Sequence, residues 1–211
     1  MTNAIPHPGA SGRTNVRYMV QLAVLTAILL VLEFTGIGMI KTPGLEFTVM
    51  QVPVIIGAIV MGPAAGGILG GVFGLLSFWE CFGKSQFGAA LLSINPFLTF
   101  LVCVPTRVLM GLCCGWIFKG LRRLDHTPGQ LIAFGVSSLS GALLNTVFFM
   151  GTLVLCFYQT DFIQGLAAGM PNALAFVVAF VSIQGLLEAL ICAVAGTAVS
   201  RAVYKALNHE R

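Results

Sequence analysis

The sequence contains few charged residues. Only 9% of its 211 residues are Asp, Glu, Lys or Arg, whereas 57% are hydrophobic, and the mean hydropathy is +0.96. A soluble globule of this size needs far more polar surface to cover its core. The composition therefore predicts an integral membrane protein with one membrane domain in the lipid bilayer, and nucleic acid is not expected as a partner.

Residue groups that carry chemistry are also missing from the sequence. The three histidines, His7, His126 and His209, lie in tails or a loop, so no metal site is expected inside the membrane. The six cysteines lack paired or metal-type spacing, and no glycine-rich phosphate loop ends in Lys-Ser/Thr. We expect no cofactor, and ATP hydrolysis would require another subunit.

Six apolar segments are present, and about 20 apolar residues can span a bilayer as a helix. They cover residues 18–37, 47–61, 64–78, 94–118, 131–158 and 171–204. A Gly62-Pro63 turn joins the second and third, which are short. The sequence predicts an all-α fold, a six-transmembrane-helix bundle over residues 17–208, preceded by a flexible cytoplasmic tail at residues 1–16.

Lys and Arg residues are distributed unevenly between the two predicted sides. The side that holds both termini carries eight of them, and the opposite side carries only Lys41 and Lys84. The eight are Arg13, Arg17, Lys119, Arg122, Arg123, Arg201, Lys205 and Arg211. Because loops and tails rich in Lys and Arg lie on the cytoplasmic side of a membrane, both termini are expected in the cytoplasm. The longer loops at 38–46, 79–90 and 159–170 then face outward, where they could cover a site.

The third segment places Gly66, Gly70 and Gly74 four residues apart. On a helix this spacing makes one smooth stripe without side chains, which allows a neighbouring helix to approach closely. We expect this stripe to pack at the centre of the domain.

Arg107 is the most informative residue, because it lies twelve residues from both Asn95 and Lys119. At about 1.5 Å per residue it is roughly 18 Å from either end of its helix. An arginine at that depth needs an anionic partner. Glu188 could supply it in a structural ion pair, or a substrate carboxylate could bind the two-pronged guanidinium.

Three asparagines are candidate binding residues. Asn145 lies on a small and polar face of the fifth segment, where it could join helices or contact hydroxyl and amide groups of a ligand. Asn172, at the outer end of the sixth segment, could bind ligand or cap the helix. Asn95 precedes a proline, which is typical of a helix start.

Aromatic residues end the third segment on the outer side. Phe78 and Trp79 are the candidates there. Tryptophan at such a position commonly anchors a helix in the headgroup region. The alternative is a side wall for an organic ligand.

This pattern resembles the substrate-binding (S) components of energy-coupling factor (ECF) vitamin transporters. The resemblance covers nearly the whole chain: six spans, an AxxxA pair at Ala23 and Ala27, and a Gly-Pro turn followed by a glycine-striped helix. The segment VPVIIGAIVMGPAAGGILGGVFGL, residues 52–75, is the most specific part. The chain looks most like the pantothenate type, to which PTRVLMG, residues 105–111, is also similar.

The resemblance implies high-affinity capture of a vitamin from outside, without enzymatic activity, by a multi-pass protein of a bacterial cytoplasmic membrane. It also implies assembly with a membrane scaffold (T) subunit and two ATPases (A and A′), and transport by toppling of the S component. Ala23 and Ala27 would then meet the scaffold. By position, Trp79, Arg107 and Asn145 resemble ligand contacts of pantothenate binders.

Several alternatives remain at this point. Similar folds serve riboflavin, folate and queuosine precursors. A stand-alone secondary carrier is weakened, but not excluded, because no internal repeat stands out. An intramembrane enzyme is disfavoured because no constellation of Ser, Cys or His recurs at membrane depth.

Overall fold

The computed structural model of the protein describes residues 9–36, 38–42, 45–122, 127–167 and 172–209. This part of the chain consists of helices and one β-hairpin. The elements are α1 (Gly9–Thr35), β1 (Met39–Thr42), β2 (Leu45–Thr48), α2 (Gln51–Met61), α3 (Pro63–Glu80), α4 (Gln86–Ile94), α5 (Pro96–Leu121), α6 (Thr127–Phe157), α7 (Asp161–Leu166), α8 (Ala173–Ile191), a π-helical turn (Cys192–Gly196) and α9 (Thr197–His209).

Each of the six predicted segments contains helical structure, although the second begins with residues 47 and 48 of β2 and becomes helical only at Gln51. Four stretches of helix are long and apolar enough to cross a membrane: Val16–Thr35, Pro96–Leu121, Ile132–Phe157 and Gly185–Ala206. Helices α2 and α3, with 11 and 18 residues, are shorter, as expected from the tight turn that joins them. The protein is therefore a helical, multi-pass membrane protein, and the all-α prediction is confirmed apart from one hairpin.

That hairpin lies in the predicted outer loop between the first two segments. Strands β1 and β2 are antiparallel, with Met39 opposite Thr48 and Thr42 opposite Leu45. Thr, Ile and Phe, which favour strands, occur in this short stretch. The prediction of a loop without secondary structure was wrong there, because strand propensity over four residues is a weak signal beside the strong hydropathy of the helices.

Three further features differ from the sequence prediction. Helix α1 begins at Gly9, so the second half of the predicted tail is helical, and residues 1–8 lie outside the described residues. Short helices α4 and α7 occupy the other two predicted outer loops. The π-helical turn Cys192–Gly196 interrupts the last segment, which hydropathy had shown as continuous.

The glycine stripe of α3 lies directly against the backbone of α5. Gly66 faces Gly111, Gly70 faces the carbonyl oxygen of Arg107, and Gly74 faces Val104. A Cβ atom at any of the three stripe positions would lie under 3.0 Å from a backbone atom of α5. The predicted close packing is confirmed, and it fixes the position of the helix that carries Arg107.

Helices α5 and α6 run antiparallel, as three contacts along their length show. The rings of Phe118 and Phe134 lie 5.1 Å apart near one end, and Cys114 Sγ donates to the Ser137 carbonyl at 3.3 Å in the middle. Towards the other end, Arg107 lies over the ring of Phe149. Residues later in α5 therefore contact residues earlier in α6.

A buried carboxylate connects α1 to the loop between α3 and α4. Glu33 Oε1 accepts a hydrogen bond from Lys84 Nζ at 2.8 Å, and the Glu33 side chain is only 1% exposed whereas that of Lys84 is 46% exposed. The hydrogen bond with Glu33 raises the pKa of the Lys84 ammonium above its ordinary value of 10.5. This contribution to stability is therefore complete at neutral pH and is lost only as the pH rises through the folded-state pKa.

The two halves of this ion pair predict unequal effects on stability. Lys84→Met leaves a buried carboxylate without its cation, and we expect a loss of about 1 kcal/mol, between the values for exposed and buried pairs. Glu33→Gln leaves a half-exposed ammonium that water can solvate, so the loss should be smaller. Thermal unfolding of both variants in the same detergent measures the difference, and a larger loss for Glu33→Gln would contradict this account.

Candidate functional site

Arg107 is buried in α5, with 7% of its surface exposed. Its guanidinium carbon lies 4.6 Å from the ring centroid of Phe73 and 5.0 Å from that of Phe149. Its Nη1 donates to the Cys103 carbonyl at 3.1 Å, and its Nε has no partner among the residues that the structure describes. The rings attract the cation, but none of these contacts is anionic, so the described neighbours of Arg107 supply no negative charge at hydrogen-bonding distance.

Glu188 of α8 does not supply that charge directly. Its Oε1 accepts from the backbone N–H of Thr48 at 2.9 Å, and its Oε2 accepts from Gln51 Nε2 at 3.4 Å. Within the described ranges no ion pair joins Glu188 to Arg107, on which it acts only as a longer-range charge. The interpretation of the two residues as a structural ion pair is not what the structure shows, because Glu188 connects α8 to β2 and α2 instead.

Asn145 of α6 is buried, and its Oδ1 has no hydrogen-bond partner within the described part of the chain. It lies one helical turn before Phe149, whose ring contacts Arg107, so the two α6 residues occupy the same helix face. Asn145 and Arg107 therefore face the same interior region.

Gln51, at the first turn of α2, completes this region. A Cβ atom at Gly141 of α6 would meet the Ile55 side chain of α2 at 2.7 Å, which places these two residues in contact. Helix α2 is antiparallel to α3, and α3 is antiparallel to α5, so α2 runs parallel to α5. Because α5 and α6 are antiparallel, α2 and α6 are antiparallel as well. One turn from the Ile55 contact, towards the N-terminus of α2, therefore lie Gln51 on α2 and Asn145 on α6.

We refer to Gln51, Arg107, Asn145 and Glu188 as the buried polar cluster. Gln51 Oε1, Arg107 Nε and Asn145 Oδ1 are buried atoms for which the described residues provide no partner. Each such atom costs on the order of 1–3 kcal/mol when it stays unpaired. These three atoms are a donor on the positively charged Arg107 and two amide oxygens. A ligand with an anionic end and hydrogen-bonding groups would satisfy them.

Two predicted site residues lie at the C-terminal end of α3 instead. Trp79 is 62% exposed, and its ring centroid is 6.4 Å from that of Phe82. Phe78 makes edge contacts at 5.4 Å with Phe82 and Phe100. The structure thus places Trp79 on the surface rather than within the buried polar cluster, in keeping with the interfacial-anchor alternative.

Two predicted asparagines cap helices. Asn95 Oδ1 accepts from the backbone N–H groups of Phe97 and Leu98 at 3.0 and 3.2 Å, and begins α5. Asn172 Oδ1 accepts from Ala175 N at 2.8 Å and begins α8. The expected helix start at Asn95 is confirmed. In both residues the side-chain oxygen is used by the helix, which leaves only the amide N–H groups for a ligand.

Sequence reasoning missed Gln51 and Phe73. Gln51 is a single polar residue at the start of an apolar segment, and that isolation was the available signal. Phe73 lies within the glycine stripe, three residues after Gly70, so its position facing α5 followed from the stripe itself. Neither stands out in the sequence beside Arg107 and Asn145, which lie deeper within longer apolar segments.

Ala23 and Ala27 are both exposed on α1. Large apolar side chains on the same helix are exposed as well, among them Val20, Val24 and Val31. This face of α1 is uncovered by the rest of the described chain, so it is open to lipid or to another membrane protein.

Comparison with known proteins bears on this arrangement. Residues 17–199 match the family model described as ECF transporter, substrate-specific component. The pantothenate transporter PanT of Leuconostoc mesenteroides is 29% identical over 147 residues, which is 69% of this chain and 69% of that protein. The pantothenic acid transporter PanT of Lactococcus lactis subsp. cremoris is 26% identical over 201 residues, with 89% of this chain and 94% of that protein covered.

A solved structure is similar in fold. ThiT from Listeria monocytogenes superposes with a TM-score of 0.65 at 15% identity, covering 91% of this chain and 97% of that chain. At this identity the likeness supports the fold alone.

Proposed function

Because the chain belongs to the substrate-specific components of ECF transporters, we propose that it captures pantothenate and delivers it for uptake. Members of this family bind the substrate of a transporter and are not catalytic enzymes. Two relatives that align over 69% and 89% of this chain are named as transporters of pantothenate or pantothenic acid. Pantothenate has one carboxylate, two hydroxyls and an amide.

The observation that carries the proposal is the environment of Arg107. A buried guanidinium that lies over two aromatic rings, with no anionic group in hydrogen-bonding contact among its described neighbours, suits one carboxylate. The Asn145 side chain lies one helical turn before Phe149, and its amide can pair with hydroxyl or amide groups of the ligand. In this assignment Phe73 and Phe149 form the apolar walls, and Trp79 and Phe78 flank the outer entrance.

We further propose the topology and the partners. Six helices, α1, α2, α3, α5, α6 and the α8–α9 unit, cross the cytoplasmic membrane of a bacterium, with both termini inside. The chain assembles with a scaffold (T) subunit and two ATPases (A and A′), which hydrolyse the ATP. The S component topples in the membrane to release its vitamin, and the exposed face of α1 around Ala23 and Ala27 contacts the scaffold.

Calorimetric titration of the purified chain tests the substrate. In detergent and without ATP, pantothenate should give saturable heat, whereas riboflavin, folate and a queuosine precursor should give none. Heat with one of those vitamins and none with pantothenate would overturn the substrate while leaving the family intact. Ion-driven uptake of pantothenate by liposomes that contain this chain alone would overturn the S-component mechanism in favour of a secondary carrier.

Ala23→Leu tests the proposed interface. The larger side chain should separate α1 from the scaffold, because small residues at this spacing allow close helix contact. We expect unchanged pantothenate binding by the isolated variant and loss of uptake in the full complex. Ile28→Phe is the matched control, since Ile28 is also exposed but lies about 140° around the helix from Ala23. Normal uptake with Ala23→Leu would remove this face from the interface.

A further inference from the structure

We propose that Gln51 is a specificity-determining residue whose carbonyl oxygen accepts a hydrogen bond from a hydroxyl of the bound vitamin, with Glu188 as the residue that holds the Gln51 amide in that orientation. This inference rests on the proposed function, because it concerns the same ligand. Neither residue belongs to the set that the sequence resemblance matched to ligand contacts.

The orientation of the Gln51 amide follows from its neighbours. Glu188 Oε2 lies 3.4 Å from the amide nitrogen, and a carboxylate oxygen can only accept, so the nitrogen must point towards α8. The amide nitrogen is therefore directed at the Glu188 carboxylate, and the carbonyl oxygen, which has no partner among the described residues, is left for another group.

Glu188 is itself held in place. Its other oxygen accepts from the backbone N–H of Thr48 at 2.9 Å, at the end of β2. The carboxylate is thus fixed by a backbone group on one side and by Gln51 on the other. A rotation of the Gln51 amide by 180° would put its carbonyl oxygen against this carboxylate, so the observed orientation is the stable one.

The free carbonyl oxygen lies in the region of the ligand. Gln51 is 0% exposed, and its Oε1 finds no partner among the residues with described positions. It lies at the level of Asn145, one turn outward from the contact of Ile55 with Gly141. The site then has two poles: Arg107 receives the anionic end of the ligand, and the Gln51 carbonyl oxygen receives a group that must donate.

This chemistry discriminates between ligands. A molecule that has the carboxylate but lacks a donor at the far pole would leave Oε1 buried and unpaired. The loss for one such atom corresponds to roughly a 5- to 150-fold weaker binding. Sites built around a ligand hydroxyl reject the analogue without it more strongly than apolar pockets reject a change in size.

The experiment compares pantothenate with its dideoxy analogue, in which both hydroxyls are replaced by hydrogen. Calorimetry gives the ratio of the two dissociation constants for the wild-type chain and for Gln51→Met, which keeps the length of the side chain without the carbonyl. We expect a wild-type preference for pantothenate of roughly 5- to 150-fold, and a preference in Gln51→Met that is reduced at least fivefold. The ratio is used because a general loss of stability weakens both ligands equally.

Glu188→Gln tests the orientation without altering position 51. The new amide can turn its N–H₂ towards Gln51, whose own amide then rotates and presents a donor instead of an acceptor. The preference for pantothenate should fall as it does in Gln51→Met, although the Gln51 side chain is intact. Thermal unfolding without ligand shows which variants fold, and Gln51→Leu, which also lacks the carbonyl, replaces Gln51→Met in the same comparison if the latter does not.

The outcomes separate the two proposals. A wild-type chain that fails to bind pantothenate overturns the proposed function. A wild-type chain that binds pantothenate, together with folded Gln51 and Glu188 variants that keep the wild-type ratio, overturns the role of Gln51 alone. A ratio that falls in the Gln51 variant but not in Glu188→Gln overturns the positioning role of Glu188.

Discussion

Arg107→Lys is expected to weaken pantothenate binding by roughly 10- to 150-fold, which corresponds to about 1.5–3 kcal/mol, the free energy of a hydrogen bond to a charged group. Lysine keeps the positive charge but loses the planar, two-pronged donor set that matches a carboxylate. It also loses the flat guanidinium that lies over the rings of Phe73 and Phe149. Calorimetric titration of both proteins with pantothenate measures the change.

The control for this substitution is Arg201→Lys, an exposed arginine of α9 that should bind pantothenate as the wild type does. The amide of pantothenate, which lacks the negative charge, adds a second control. It should bind the wild type much more weakly than pantothenate, and the difference should shrink in Arg107→Lys. Equal affinity of Arg107→Lys and wild type for pantothenate would show that Arg107 does not contact the carboxylate.

The fold was largely predictable because its strongest signals are local. Runs of apolar residues gave the helices, and the four-residue spacing of Gly66, Gly70 and Gly74 gave the close contact between α3 and its neighbour. The β-hairpin and the π-helical turn were not predictable in this way. Each depends on a few residues whose local preferences are weaker than the contacts that the surrounding helices impose.

The site was predictable only in part. Arg107 and Asn145 stand out because a polar residue deep in an apolar segment is expensive in a membrane and needs a reason. The role of Glu188 did not follow from its depth, since its partners Thr48 and Gln51 are separated from it by 140 and 137 residues. Depth along a helix places a residue in a layer, but it does not say which neighbour the side chain faces in that layer.

The same limit explains Asn95, Asn172 and Trp79. A helix-capping asparagine and a ligand-binding asparagine have the same sequence signature at the outer end of a span, and only the backbone N–H groups within reach distinguish them. Trp79 follows Phe78 by one position, which turns it by about 100° around α3 and onto the surface. A residue that lies close to site residues in the sequence therefore need not line the site.

Gly70→Ala is expected to destabilise the protein and to reduce pantothenate binding together. The new Cβ would collide with the carbonyl oxygen of Arg107, a backbone atom that cannot move without shifting α5. Overpacking of this kind costs about 1–3 kcal/mol. Because the displaced segment carries Arg107 itself, the guanidinium should also move relative to Phe149 and Asn145.

Gly71→Ala is the matched control for this substitution. It lies on the same helix, and its nearest neighbour would be Val108 Cγ2 at 3.6 Å, an ordinary van der Waals distance. Alanine also favours a helix over glycine by roughly 1 kcal/mol, so Gly71→Ala should be neutral or stabilising. Thermal unfolding and calorimetry on both variants decide the matter, since equal behaviour of the two would mean that the stripe does not position Arg107. If Gly70→Ala lowers the unfolding temperature and the affinity while Gly71→Ala lowers neither, the stripe acts by holding the backbone of α5 at the depth where Arg107 meets the ligand.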